Sequence, residues 1–311
     1  MSKIAFVFPG QGSQTVGMGK DLFENFPEAR QVFEAADDAL SEKLSKICFE
    51  GPDELLKLTA NTQPAILTVS VAAHAVFSTR GPAPAFVAGH SLGEYSALVA
   101  AGAITLPDAV RSVRARGTFM QEVVPAGVGA MAAVLGLDPA KVKSVCDEVA
   151  QGQIVAPANY NSPEQTVIAG NAEAVERASA KLKEAGAKRV MPLPVSAPFH
   201  CALMEPVKAR LGTVLEKITV SNPKVPVVSN VEATPNSDAA RVVPLLLEQV
   251  SAPVRWIECV ETLRQNGVTR VVELGPGKVL CGLIRRIAKD IETFNVEDSA
   301  SLQKTLAALG A

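Results

Sequence analysis

Gly89-His90-Ser91-Leu92-Gly93 forms a GxSxG pentapeptide, the pattern that puts a serine on a sharp strand-to-helix turn and exposes its hydroxyl as a nucleophile. The glycines permit the turn and the close packing around a strained residue. The first amides of the following helix point into the space above the hydroxyl, where they can stabilise an oxyanion. Read more blandly, Ser91 caps a helix after a glycine-rich turn. A serine nucleophile needs a base, and the chain offers three histidines, His74, His90 and His200. His74 sits among Val71, Ala72, Ala73, Ala75 and Val76 and reads as structural. His90 adjoins the serine, so its side chain should point away from it. His200, in Ser196-Ala197-Pro198-Phe199-His200, stands in a loop where the chain changes rhythm, a favoured setting for a site residue; its bland alternative is a histidine of a surface loop.

Arg116 is the remaining residue with chemical promise. In the helix that begins at Pro107, residues Ala109, Val110, Val113, Gly117 and Met120 make one apolar face. Arg111 and Arg114 fall elsewhere and read as solvated. Arg116, three after Val113 and four before Met120, lies on or beside the buried stripe. A buried guanidinium without an anion is costly, so Arg116 requires a carboxylate. That partner is either a structural Asp or Glu or a carboxylate on a substrate, gripped bidentately.

These residues need elements to hold them. A strand over 4–8 ends at Pro9-Gly10, a strand over 85–89 enters the serine turn, and a helix over 92–101 leaves it. Helices are expected over 26–40 and 64–77, and the alternation argues for an α/β fold with a largely parallel sheet. The middle of the chain changes pattern. A strand over 130–135, a helix over 139–150, strands over 154–159 and 165–170, a helix over 173–185 and a strand over 189–193 give the order β-α-β-β-α-β, that of a ferredoxin-like unit. The α/β rhythm then resumes, with helices over 204–218, 254–265 and 279–287 and strands over 226–229 and 270–274. The reading is a small ferredoxin-like domain, 125–196, inserted into a discontinuous large domain, 1–124 and 197–311.

Composition narrows the classes of function. The 311 residues carry 30 Lys+Arg against 32 Asp+Glu, a net charge of −2, which disfavours an electrostatic nucleic-acid binder. With 48% apolar residues the chain can build a large core and is not disordered. No apolar run reaches the ~18–20 residues of a membrane span, and the start, Met1-Ser2-Lys3 and then a short strand, lacks a signal peptide. The five cysteines, Cys48, Cys146, Cys201, Cys259 and Cys281, are scattered without a CxxC, so neither a disulfide framework nor a metal site is expected. A reducing, cytoplasmic setting follows. Gly10-Gln11-Gly12 fails the dinucleotide fingerprint because Thr15 stands where a third glycine belongs, and Gly277-Lys278 fails the phosphate-loop pattern at Val272 and Val279.

Four motifs together carry a resemblance: Phe8-Pro9-Gly10-Gln11-Gly12-Ser13-Gln14, Gly89-His90-Ser91-Leu92-Gly93-Glu94, Arg116, and Pro198-Phe199-His200. In this order the chain resembles the malonyl-CoA:acyl carrier protein transacylases of bacterial type II fatty acid synthesis and, more broadly, the acyltransferase domains of fatty acid and polyketide synthases. The likeness continues through Gln249-Val250-Ser251-Ala252-Pro253-Val254-Arg255-Trp256 and Glu273-Leu274-Gly275-Pro276-Gly277.

The resemblance implies an α/β-hydrolase-like large domain with the ferredoxin-like insert and a site in the cleft between them. It implies that Ser91 forms a malonyl ester, that His200 is its general base and then general acid, and that the Gln11 and Leu92 amides form the oxyanion hole. It further implies that Arg116 holds the malonyl carboxylate and that a main-chain carbonyl at Gln249, rather than an Asp, orients His200. Phe199 corresponds to the malonyl-selecting form of its motif, its ring leaving little room for an α-methyl. The expected reaction is ping-pong transfer from malonyl-CoA to the phosphopantetheine thiol of an acidic acyl carrier protein, by a monomer without metal or bound cofactor. A basic surface for that partner is expected at Arg285, Arg286 and Lys289 or at Lys188 and Arg189. Two rivals use the same residues: a serine thioesterase or esterase, which leaves Arg116 unexplained, and a non-enzymatic carrier-binding module, which leaves Ser91 unacylated.

Overall fold

The computed structural model describes residues 3–125, 127–194 and 197–311. Met1 and Ser2, Ala126 within the expected insert, and Ser196, which is both the last residue of that insert and part of the histidine motif, lie outside the described residues. Ten strands occur among the described residues: β1 (Lys3–Phe8), β2 (Phe86–Gly89), β3 (Gly129–Leu135), β4 (Val155–Ser162), β5 (Gln165–Asn171), β6 (Arg189–Pro192), β7 (Val227–Val228), β8 (Pro235–Asn236), β9 (Val268–Leu274) and β10 (Glu292–Val296).

Six of them make one sheet in the order β10-β9-β1-β2-β7-β8, parallel except for the β7–β8 pair. Strands in such a sheet are buried on both faces and read as continuous apolar runs. In β1, Phe6 and Phe8 face one side with Ile66 and Phe77, while Ala5 and Val7 face the other with Trp256 and Val260. Ligand-binding residues in open parallel sheets gather beyond the carboxyl ends of the strands. Here those ends lead into Gly10-Gln11 after β1, His90-Ser91 after β2 and Ser229-Asn230 after β7.

The other four strands form a fully antiparallel sheet in the order β4-β5-β3-β6. Successive side chains of a strand point to opposite faces, and β3 uses both. Ala132 and Val134 pack on the helices Pro139–Val149 and Ala172–Glu184, whereas Met131 and Ala133 join the core of the larger sheet. The two units are also joined through the backbone, since Val254 N–H donates to the Ala158 carbonyl and Tyr160 N–H to the Val254 carbonyl, both at 2.9 Å.

Several elements depart from expectation. The helix expected from Pro64 spans Thr59–Ser78, with Pro64 inside it. An internal proline loses one backbone hydrogen bond, but this helix is buried along nearly its whole length, and packing outweighs the loss. The helix expected from Pro107 starts at Leu106, with the Thr105 side chain accepting from Asp108 N–H. Arg114, expected to be solvated, is mostly covered; it bonds Asn61 and, at 2.8 Å, Glu42. The helices Ala239–Gln249 and Ser299–Leu309 and the strand β10 have no counterpart in the sequence pattern. Pro244 interrupts the first of these in sequence, and β10 is a half-buried edge strand of mixed polarity.

Candidate active site

Ser91 occupies a backbone conformation with φ of 52°, a left-handed setting that costs a non-glycine residue on the order of 1–2 kcal/mol. The surroundings impose it. A Cβ on Gly89 would lie 1.9 Å from the Gly93 backbone, and one on Gly93 would lie 2.1 Å from the Phe8 carbonyl oxygen. Only glycine at both places lets the turn fold back against β1. Asn230 then staples the turn, its Oδ1 accepting from Ser91 N–H at 2.7 Å and its Nδ2 donating to the Gly89 carbonyl at 2.7 Å.

His200 also has a positive φ, 58°, and is 4% exposed. Its Nδ1 lies 2.8 Å from the Gln249 main-chain oxygen and its Nε2 lies 2.6 Å from Ser91 Oγ. A carbonyl oxygen can only accept, so Nδ1 carries the proton and Nε2 is free to accept the serine proton. The imidazole is held down to about 3, first by burial and then by the Arg116 charge, with the Gln249 bond opposing both. The ring is therefore neutral at ordinary pH, the state a base requires.

Arg116 comes from the helix Leu106–Val123 and is 2% exposed. The helix approaches Thr59–Ser78 closely at Gly117, where a Cβ would lie 2.7 Å from the Thr59 carbonyl oxygen. Arg116 Nη1 donates to Gln63 Oε1 at 2.8 Å; Nη2 donates to Gln249 Oε1 at 2.9 Å and to Ser91 Oγ at 3.2 Å. Its Nε has no partner among the described residues. Its hydrogen-bond partners are all neutral; burial lowers its affinity for its proton, and the nearby Tyr95 and Glu94 oppose that. Among the described residues no carboxylate forms a direct ion pair with it; the acidic group that acts on it is the buried Glu94, through space and across Gln249.

Ser91, Leu92, His200, Arg116, Gln11 and Phe199 line one cavity of about 100 Å³. The amides of Gln11 and Leu92 donate no hydrogen bond to other described residues, as oxyanion donors must before substrate arrives. Phe199 is buried against this cavity. A second cavity of about 240 Å³ shares Gln11, His90, Asn159 and Leu193 with the first and runs past Val279 and Leu283. His90 turns from the serine to Asn161, its Nε2 2.8 Å from Asn161 Oδ1, and packs edge-on to Trp256. His74 contacts Phe6 and Phe8 edge-on, away from the cavity.

Sequence reasoning missed Gln63, Asn230 and the contribution of Glu94. Glu94 is 3% exposed, and its Oε2 accepts from Asn230 N–H at 3.0 Å and Gln249 Nε2 at 2.8 Å. Asn230 had one available signal, its position just after a strand end. Gln63 had none, because it sits within an apolar helix far along the chain from every motif.

A family model described as acyl transferase domain matches residues 5–307. A malonyl CoA-acyl carrier protein transacylase of Bacillus subtilis (strain 168) is 50% identical over 310 residues, covering 99% of this chain and 98% of that protein. The malonyl CoA-acyl carrier protein transacylase of Escherichia coli (strain K12) is 50% identical over 307 residues, covering 98% and 99%. Among solved structures, an acyl carrier protein S-malonyltransferase from Vibrio cholerae superposes with a TM-score of 0.95 at 48% identity, covering 98% of this chain and 100% of that one. A malonyl-transacylase solved in complex with its type II polyketide acyl-carrier protein matches with a TM-score of 0.96 at 49% identity, covering 99% and 100%.

Proposed function

The chain belongs to the acyl transferase domain family, and we propose that it moves a malonyl group from malonyl-CoA to the phosphopantetheine thiol of an acyl carrier protein. The observation that carries this reading is a nucleophile–base pair beside a buried arginine with only neutral partners. A distal carboxylate on the acyl group supplies the missing anion.

In the first half-reaction, His200 Nε2 takes the Ser91 hydroxyl proton as Oγ attacks the thioester carbonyl. The oxyanion lies against the Gln11 and Leu92 amides. Collapse of this intermediate breaks the C–S bond as His200 Nε2 returns its proton to the departing sulfur, so that CoA leaves as the thiol and the imidazole is neutral again. Malonyl-Ser91 remains, its carboxylate on Arg116. In the second half-reaction, Nε2 takes the proton of the carrier thiol, whose sulfur attacks the ester, and Ser91 recovers its proton on leaving. The second cavity, apolar along Val279 and Leu283 and continuous in its lining with the first at Gln11, His90, Asn159 and Leu193, is where we place the thiol-bearing arm of either substrate. Phe199 narrows the acyl cavity and disfavours an α-methyl.

We further read residues 1–124 and 197–311 as an α/β-hydrolase-like catalytic domain and 125–196 as a ferredoxin-like insert; the strand order β4-β5-β3-β6 supports the latter. The carrier is the acidic partner, docking on exposed Arg285 and Arg286 of the helix Val279–Ile287, which also lines the second cavity, and on exposed Lys289 just beyond it. That adjacency favours them over Lys188 and Arg189. One chain holds every residue of the site, so a monomer suffices. The cysteines are all free and buried, in keeping with a reducing cytoplasm.

The test is CoA release from malonyl-CoA with and without holo-acyl carrier protein. Release that depends on the carrier, with malonyl recovered on its thiol, supports transfer. Rapid release to water that the carrier does not alter would mean a thioesterase instead.

A further inference from the structure

Glu94 is a buried carboxyl that the acyl-transfer steps leave unused. It stands in the first turn of the helix Gly93–Ala100, where the N-terminal amides favour an anion. No cation forms a direct ion pair with it among the described residues, although the Arg116 charge acts on it from beyond Gln249. Its contacts are with two groups that organise the site: Asn230, which holds the Ser91 amide, and Gln249, which holds both His200 and Arg116.

The Gln249 amide could in principle face either way. Its Nε2 meets Glu94 Oε2 at 2.8 Å, the Ser91 carbonyl oxygen at 3.0 Å and, more weakly, Asn230 Oδ1 at 3.4 Å. Its Oε1 meets Arg116 Nη2 at 2.9 Å. A carboxyl on one side and a donor-only guanidinium on the other permit one orientation; the flipped amide would set NH₂ against Arg116 and oxygen against Glu94. The carboxyl contact is the shortest of the three on Nε2 and the only one that can be charge-assisted. Burial raises the Glu94 carboxyl to about 7, yet Oε2 can accept both bonds in either protonation state if a proton resides on Oε1.

We propose that Glu94 is a positioning residue for the acyl carboxylate: by fixing the Gln249 side-chain amide, it aims the Arg116 guanidinium at the acyl group on Ser91. Its carboxyl touches neither the acyl group nor the Ser91 hydroxyl and acts through Gln249 and Asn230. The inference rests on the malonyl-transfer reading and adds to it a determinant of preference for malonyl over acyl groups that lack a distal carboxylate.

The experiment compares Ser91 acylation by malonyl-CoA and by acetyl-CoA, as kcat/KM from quenched intact-mass time courses, in the wild type, Glu94→Ala and Glu94→Gln. The malonyl-to-acetyl ratio should fall about ten-fold or more in Glu94→Ala, the scale of a lost bond to a charged acceptor. A glutamine side chain retains an acceptor oxygen, so Glu94→Gln should recover the ratio to within about two-fold. Glu94→Asp, whose shorter arm cannot span both contacts, reads out the same loss if Glu94→Ala fails to fold. An unchanged ratio with both rates lowered together overturns the inference and leaves Glu94 structural. A Glu94→Gln ratio as low as that of the alanine variant also overturns it, since charge rather than amide orientation would then matter. A wild type that is not malonylated at Ser91 overturns the proposed function and the inference together.

Discussion

The His200 imidazole donates from Nδ1 to the Gln249 main-chain oxygen, 2.8 Å away, so the base opposite Ser91 is oriented by a neutral acceptor rather than a carboxylate. A carbonyl fixes the tautomer without adding charge. In the proposed acylation the imidazolium has no adjacent anion to stabilise it, so the catalytic burden falls on the short contact to Ser91 and on the Gln11 and Leu92 amides.

Removing the base tests this arrangement. His200→Ala should slow Ser91 acylation by malonyl-CoA about 10²–10⁴-fold, read from burst kinetics of CoA release. A rate near that of the wild type would assign the base elsewhere, with His90 the next nearest imidazole.

Arg116→Ala should damage malonyl transfer far more than acetyl transfer, because only malonyl carries a carboxylate to place on the guanidinium. Parallel kcat/KM measurements with the two thioesters decide it. Equal losses would make Arg116 a structural residue.

The same substitution has a signature in pH. Burial and the Arg116 charge both lower the His200 pKa, to about 3. The base form therefore persists into mild acid in the wild type, and the acid limb of acylation by acetyl-CoA should lie at low pH. Arg116→Ala removes the largest of the charge influences that lower it, so the limb should move to higher pH. A limb that stays put contradicts the coupling of guanidinium and imidazole.

Glu273 offers a test in stability. It lies near the end of β9 and accepts from the amides of Leu280 and Cys281 at 3.0 and 2.7 Å, and burial raises its carboxyl from 4.5 to about 7. A folded-state pKa above the unfolded one means that the folded chain binds this proton more tightly. The stability from that proton is full below about pH 4.5 and is lost as pH rises to about 7. Glu273→Gln removes this dependence. Its stability relative to the wild type should therefore rise between about pH 5 and about pH 7 and level off above, as measured by urea unfolding across that range. A difference independent of pH would contradict the raised pKa.

Charge reversal at Arg285, Arg286 and Lys289 should raise KM for the acyl carrier protein and flatten its dependence on salt, more so than reversal at Lys188 and Arg189. Steady-state transfer at two ionic strengths measures both. No change at either cluster would move the docking surface elsewhere.

Much of the site is legible in the sequence because its motifs sit at element ends. Gly89, Ser91 and Gly93 declare a turn that only glycine can close, and His200 stands out because histidines are few. The order of elements in the middle region is legible in its alternating pattern, and β3, β4, β5 and β6 with their two helices follow one another in that order. What stays hidden is the network joining distant segments. Gln63 has no sequence signal of a site and Asn230 only its place after a strand end, and their roles depend on contacts across 53 residues to Arg116 and 139 residues to Ser91. The helix Ala239–Gln249, which delivers Gln249, is obscured by its internal Pro244. Arg114 is misread from sequence because helical phase alone cannot foresee that Asn61 and Glu42 cover it.

The central claim is that Ser91 carries a malonyl group between two thiols, and intact-protein mass spectrometry after mixing with malonyl-CoA tests it most directly. A mass gain of one malonyl group, absent in Ser91→Ala and discharged on adding holo-acyl carrier protein, is the predicted result. No gain in the wild type, or an equal gain in Ser91→Ala, would contradict it.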